Sequence, residues 1–186
     1  MTRTKVFLLG TLTLLGFPSI GWAILELYVE NPFTSIFDTS QPLVLNIGFG
    51  LGYGLLCGMA AWELIKMNFF KRSRIFFSDL IGDLNLGWIE IIFISSCAGI
   101  GEEILFRGAV QPILGIWITA VLFIALHGYL NPKNWQISVY GLFMCPVIAG
   151  MGYLCEELGI WAAISAHAIF DVYLFKALSG PVLRRD

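Results

Sequence analysis

The sequence predicts an all-α fold, a polytopic membrane helix bundle of about six transmembrane helices with an interfacial segment between spans two and three. Two observations carry this. Apolar residues make up 58% of the 186 positions and charged residues only 13%, where a soluble domain carries roughly 25% charged. The apolar residues also fall in runs close to the ~20 that cross a hydrocarbon core about 30 Å thick. A mean hydropathy of +0.80 leaves too little polar surface to wet a globule of this size, which excludes a water-soluble enzyme and a nucleic-acid binder. The net charge of -2 does not discriminate among partners.

Each span follows from the same ruler. The first covers residues 6–29, interrupted by Pro18. Arg3 and Lys5 ahead of it and Gly21-Trp22-Ala23 near its end imitate a secretory signal, but the apolar run outlasts the ~7 to 15 residues of a signal core and reads as an uncleaved span. The second, 43–65, carries Gly48, Gly50, Gly52, Gly54 and Gly58, small residues that let helices approach closely. Residues 69–86 mix Lys71, Arg72 and Arg74 with Phe69, Phe70, Phe76 and Phe77, the composition of a segment lying along a membrane surface. Spans three to six are expected at 88–110, 112–130, 137–155 and 160–178. Glu156 and Glu157 then fall in a short wet turn. Cys57, Cys97, Cys145 and Cys155 sit in apolar stretches without C-x-x-C spacing, so they read as small buried residues. No repeat is visible, and residues 1–186 read as a single membrane domain.

Basic residues set the orientation. Arg3, Lys5, Lys66, Lys71, Arg72, Arg74, Lys133, Arg184 and Arg185 all fall on one side of the predicted spans. Glu30, Asp38, Glu156 and Glu157 fall on the other. By the positive-inside bias both termini are cytoplasmic.

Ionisable residues at depth in a bilayer cost several kcal/mol unless they face a cavity or a partner. They gather in three places: Glu102, Glu103 and Arg107 in span three, His127 near the end of span four, and His167 with Asp171 in span six. Glu103 and Arg107 are i and i+4, the spacing of a helical ion pair, which makes Arg107 structural. Glu102 is turned about 100° away from Glu103 and is left as the free carboxylate. His167 and Asp171 are also i and i+4, an arrangement that orients an imidazole for catalysis or metal binding. The chain has two histidines, and both fall in spans.

Glu102-Glu103-x-x-x-Arg107, Phe123-x-x-x-His127 and His167-x-x-x-Asp171, in this order and each on its own apolar segment, resemble the motif set of the CPBP intramembrane proteases. That family includes the type II, Rce1-like CaaX prenyl endopeptidases and proteins linked to bacteriocin processing and self-immunity. The likeness covers residues 88–178 as a protease-like core. It implies an intramembrane endopeptidase in which Glu102 and His127 activate water, Glu103, Arg107 and Phe123 support the site, and His167 with Asp171 serves the oxyanion side. Many members carry asparagine where Asp171 stands. An ionised aspartate only accepts hydrogen bonds, so Asp171 is either protonated or orients His167. The resemblance favours a mechanism without a metal or other cofactor. A His₂Glu zinc site built on the two histidines is the alternative, although H-E-x-x-H is absent. The implied partners are the lipid bilayer and a membrane-associated or lipidated peptide, and the implied location is a bacterial plasma membrane. Rival readings are a non-catalytic immunity or partner protein of the same fold, and a proton-relaying transporter.

Depth poses one difficulty. On the predicted spans Glu102 and His167 lie about 10 to 12 Å below the outer boundary and His127 about 22 Å below it. A tilt, a break near Gly99 and Gly101, or a fourth span starting after Pro112 would each close that gap.

Overall fold

Helix α9 (Ile160–Leu178) is the strut against which most of the chain packs. The computed structural model describes residues 3–28, 32–39, 41–82, 84 and 86–179. Val29, Glu30, Arg184 and Arg185 therefore lie outside the described residues. Ahead of α9 come α1 (Arg3–Leu25), α2 (Pro32–Phe37), α3 (Leu43–Lys66), a 3-10 turn (Asn68–Phe70) and α4 (Lys71–Gly82). Then α5 (Trp88–Glu103) passes through a π-helical segment (Ile104–Val110) into α6 (Gln111–Leu114), followed by α7 (Ile116–Leu126) and α8 (Trp135–Leu158). The protein is all-helical over these residues, and α1, α3, α8 and α9 are long and apolar enough to cross a membrane. Their outer faces expose Leu8, Leu12, Leu15, Val44 and Leu56, as suits lipid contact.

The other two predicted spans come out differently. The third does not stop at 110; the π segment carries helix on to Leu114. The fourth does not run from 112 to 130. Gly115, with a positive φ of 78°, separates α6 from α7, and α7 has 11 residues, about 16 Å of helix. Its end is a Schellman cap. Gly128 takes φ 74°, its N–H meets the Ala125 carbonyl at 3.0 Å, and the Tyr129 N–H meets the Ile124 carbonyl at 3.1 Å. Starting at Ile116 rather than Pro112 removes about 6 Å of the expected depth gap. No break occurs at Gly99 or Gly101, where the helix stays regular. A Cβ on Gly99 would lie 2.9 Å from the Ile164 carbonyl of α9, and one on Gly101 would meet the Thr13 carbonyl of α1. These two glycines serve close packing.

The glycines of α3 divide by face. Gly50 and Gly54 press on the Ala162 and Ala166 carbonyls of α9, and Gly58 meets Tyr173, whereas Gly48 and Gly52 have nothing near them. Glu156 and Glu157 belong to the last turn of α8 rather than to a turn between helices; both are exposed, and Glu156 accepts a 3.0 Å bond from Gln111. The four cysteines are free; Cys97 and Cys145 are buried and Cys57 and Cys155 half-buried.

Candidate active site

Three helix segments meet behind the short α7. From the junction of α5 and the π segment, Glu103 and Arg107 turn fully inward. Arg107 Nε donates to Glu103 Oε2 at 2.8 Å, and neither side chain is exposed. The same guanidinium donates through Nη2 to the Ile148 carbonyl of α8 at 3.1 Å and lies 5.9 Å from the Phe123 ring. A π-helical turn widens the helix locally, and here it carries Arg107.

Glu103 has a second partner. Its Oε1 lies 2.8 Å from His167 Nδ1. Because Arg107 keeps this carboxylate ionised, the nitrogen facing it must carry the proton. His167 therefore holds Nδ1–H toward Glu103 and turns Nε2 toward the cavity. Asp171 Oδ2 lies 3.7 Å from Nε2, beyond hydrogen-bond reach. The i, i+4 spacing does put the two on one face, but Glu103, from another helix, orients the imidazole. Its reach depends on how α5 packs on α9.

His127 is the C-cap of α7. Its Nδ1 lies 2.8 Å from the Phe123 carbonyl, an acceptor only, so Nδ1 carries a proton here too. The ring stacks on Phe123 with centroids 4.1 Å apart, and Nε2 comes within 3.1 Å of Glu102 Oε2. Phe123 also meets Phe106 at 4.9 Å and His167 edge-on at 5.8 Å, so one ring braces both histidines. Glu102, His127, His167 and Asp171 line a single cavity of about 120 Å³, walled by Phe123, Met144 and Ile148 among others. Among the described residues, no three His, Cys, Asp or Glu side chains are grouped so as to hold a metal ion.

Residues 84–173 match the family model described as type II CAAX prenyl endopeptidase Rce1-like. Over this stretch the chain is similar to the Rce1-like family. The Rce1-like region opens just before α5 and ends within α9, and so contains all seven residues of the three motifs. A curated relative, the uncharacterized protein YpbD of Bacillus subtilis (strain 168), is 30% identical over 99 residues, which is 52% of this chain and 50% of that protein. The chain spans about half the length of the curated relative it matches. No solved structure gives a significant match.

Three features of the Rce1-like region were not read from its sequence: the bond from Glu103 to His167, the cap that ends α7 at His127, and Tyr129 in the cavity wall. Only the second had a local signal. Gly128 directly after an apolar run is the residue that ends a helix in the left-handed conformation.

Proposed function

We propose that this protein is an intramembrane endopeptidase that hydrolyses a membrane-associated or lipidated peptide with water activated by Glu102 and His127. The observation that carries this reading is the 3.1 Å approach of Glu102 Oε2 and His127 Nε2, from separate helices, in a cavity shared with His167 and Asp171. His127 Nδ1 is committed to the Phe123 carbonyl, so Nε2 is the ring nitrogen left to exchange a proton with Glu102 Oε2 and water. Such a pair accepts a proton from water and returns one to a departing amine. His167, held by Glu103, and Asp171 face the same space from α9 and serve the oxyanion side. Residues 84–173 form the catalytic core of one membrane domain.

The catalytic groups act without a bound metal in this reading. Both termini are cytoplasmic, in a bacterial plasma membrane. The contacts of Arg3 with Leu84 and Glu90, of Phe69 with Trp135, and of Lys176 with Trp88 gather the basic segments at one end of the bundle, which supports that orientation.

The test is a panel of membrane-anchored peptides, with and without a lipidated C terminus, incubated with wild-type and Glu102→Ala protein in proteoliposomes. Mass spectrometry of the products is expected to show cleavage by the wild type only, and turnover is expected to survive 1,10-phenanthroline. One zinc per chain, with activity lost on its removal and regained on its return, would replace this reading with a metal mechanism.

A further inference from the structure

We propose that the Tyr129 hydroxyl is a further oxyanion donor of this site, acting beside His167 and hydrogen-bonding the carbonyl oxygen of the bond under attack. The inference rests on the hydrolytic reading above and deepens it.

Among the described residues, five polar side chains line the cavity: Glu102, His127, Tyr129, His167 and Asp171. Hydrolysis needs a hydrogen-bond donor where negative charge builds on the carbonyl oxygen. Glu102, acting as the base, and an ionised Asp171 only accept. Each histidine has its Nδ1–H committed, His127 to the Phe123 carbonyl and His167 to Glu103. In the neutral form neither ring presents an N–H to the cavity; each presents one at Nε2 only after taking up a further proton. Arg107 donates through Nε to Glu103 and through Nη2 to the Ile148 carbonyl, and it does not line the cavity. Tyr129 is the side chain in the wall that donates without first being protonated.

Its position is built into the chain. The Schellman cap at Gly128 turns the backbone so that Tyr129 follows His127 back along the bundle. The ring sits 6.5 Å from His127, 5.8 Å from Tyr140 and 6.3 Å from Phe77. Gly141 of α8 leaves room for it, since a Cβ there would fall 2.6 Å from that of Tyr129. The hydroxyl makes no hydrogen bond to a described residue. Tyr129 and Asp171 also line a neighbouring apolar cavity of about 190 Å³, so both stand where a substrate entering from that side would pass.

In the step itself, the water oxygen bonds to the carbonyl carbon as its proton passes to the Glu102–His127 pair. The carbonyl π electrons move to oxygen, where Tyr129 O–H donates. On collapse the C–N bond breaks and the pair's proton goes to the departing nitrogen. Tyr129 keeps its own proton throughout.

The test uses full-length protein in proteoliposomes, a peptide that the wild type cleaves, and the phosphonate analogue of that peptide. Tyr129→Phe is expected to lower kcat about 100-fold with KM within about twofold, and to weaken inhibition by the phosphonate by a similar factor. Unchanged kcat would overturn the proposal, and so would an equal weakening of substrate and phosphonate, which marks a packing role. Fluorinated tyrosines placed at 129 keep the ring and provide the same test if Tyr129→Phe does not fold. A kcat that follows phenol acidity supports donation, and a flat series overturns it. A wild type that cleaves nothing in the panel overturns the hydrolytic reading and this proposal with it. A cleaving wild type with fully active Tyr129→Phe overturns this proposal alone.

Discussion

The two faces of α9 solve opposite problems. One face, at Ala162, Ala166, Ile169 and Tyr173, meets α3 through Gly50, Gly54 and Gly58. Backbone lies against backbone there, and the seam holds by dispersion and close fit, since lipid tails are as apolar as the helices. The other face turns His167 toward Glu103 and Arg107 in a chain of buried charge. That chain is costly to remove from water, so each member has to be satisfied by the next. A glycine seam fails when an atom is added, and a buried ionic chain fails when one is removed.

Removal from the ionic face has the largest expected effect on stability. Arg107→Ala leaves Glu103 buried with His167 alone and is expected to cost about 3 to 5 kcal/mol, read as loss of folded protein in detergent. Full folded yield with an unchanged unfolding midpoint would show that the chain is not what holds this face. Addition to the glycine face comes next. Gly54→Ala puts a methyl group onto the Ala166 carbonyl and is expected to cost about 1 to 3 kcal/mol. Gly52→Ala, with nothing within 4 Å, is expected to be neutral or stabilising by up to about 1 kcal/mol. Equal effects of the two in one thermal unfolding series would erase the distinction between the helix faces. The smallest effect is expected at the rim, where Glu156→Gln removes a charge from an exposed side chain that accepts one bond from Gln111. Its unfolding midpoint is expected to move by no more than corresponds to about 0.5 kcal/mol.

The same contrast shows what the sequence makes legible. The Glu103–Arg107 pair is local to one helix, and its i, i+4 spacing forms as read. The glycine pattern of α3 is visible too, but which glycines face a partner depends on where α9 lies. The His167–Asp171 spacing places both side chains on one face, yet the bond that orients the ring comes from Glu103, 64 positions earlier in the chain. No periodicity reports a contact of that range. α7 is shorter than its hydropathy predicts for a physical reason. Residues 112–130 are apolar enough to span, but Gly115 and Gly128 adopt positive φ and end the helix on both sides. The second of them leaves His127 at the helix end, as its C-cap.

The central claim is that Glu102, paired with His127, takes the proton of the attacking water. Glu102→Gln keeps the shape of the side chain and removes the base, so it separates chemistry from folding. A cleavable membrane peptide is incubated in H₂¹⁸O with wild-type or Glu102→Gln protein, matched for folded amount in proteoliposomes. The new C terminus is then weighed. The expected result is one ¹⁸O in the wild-type product and a rate reduced by a factor of about 10² to 10⁴ in the variant. Labelled product formed by Glu102→Gln at the wild-type rate would contradict it.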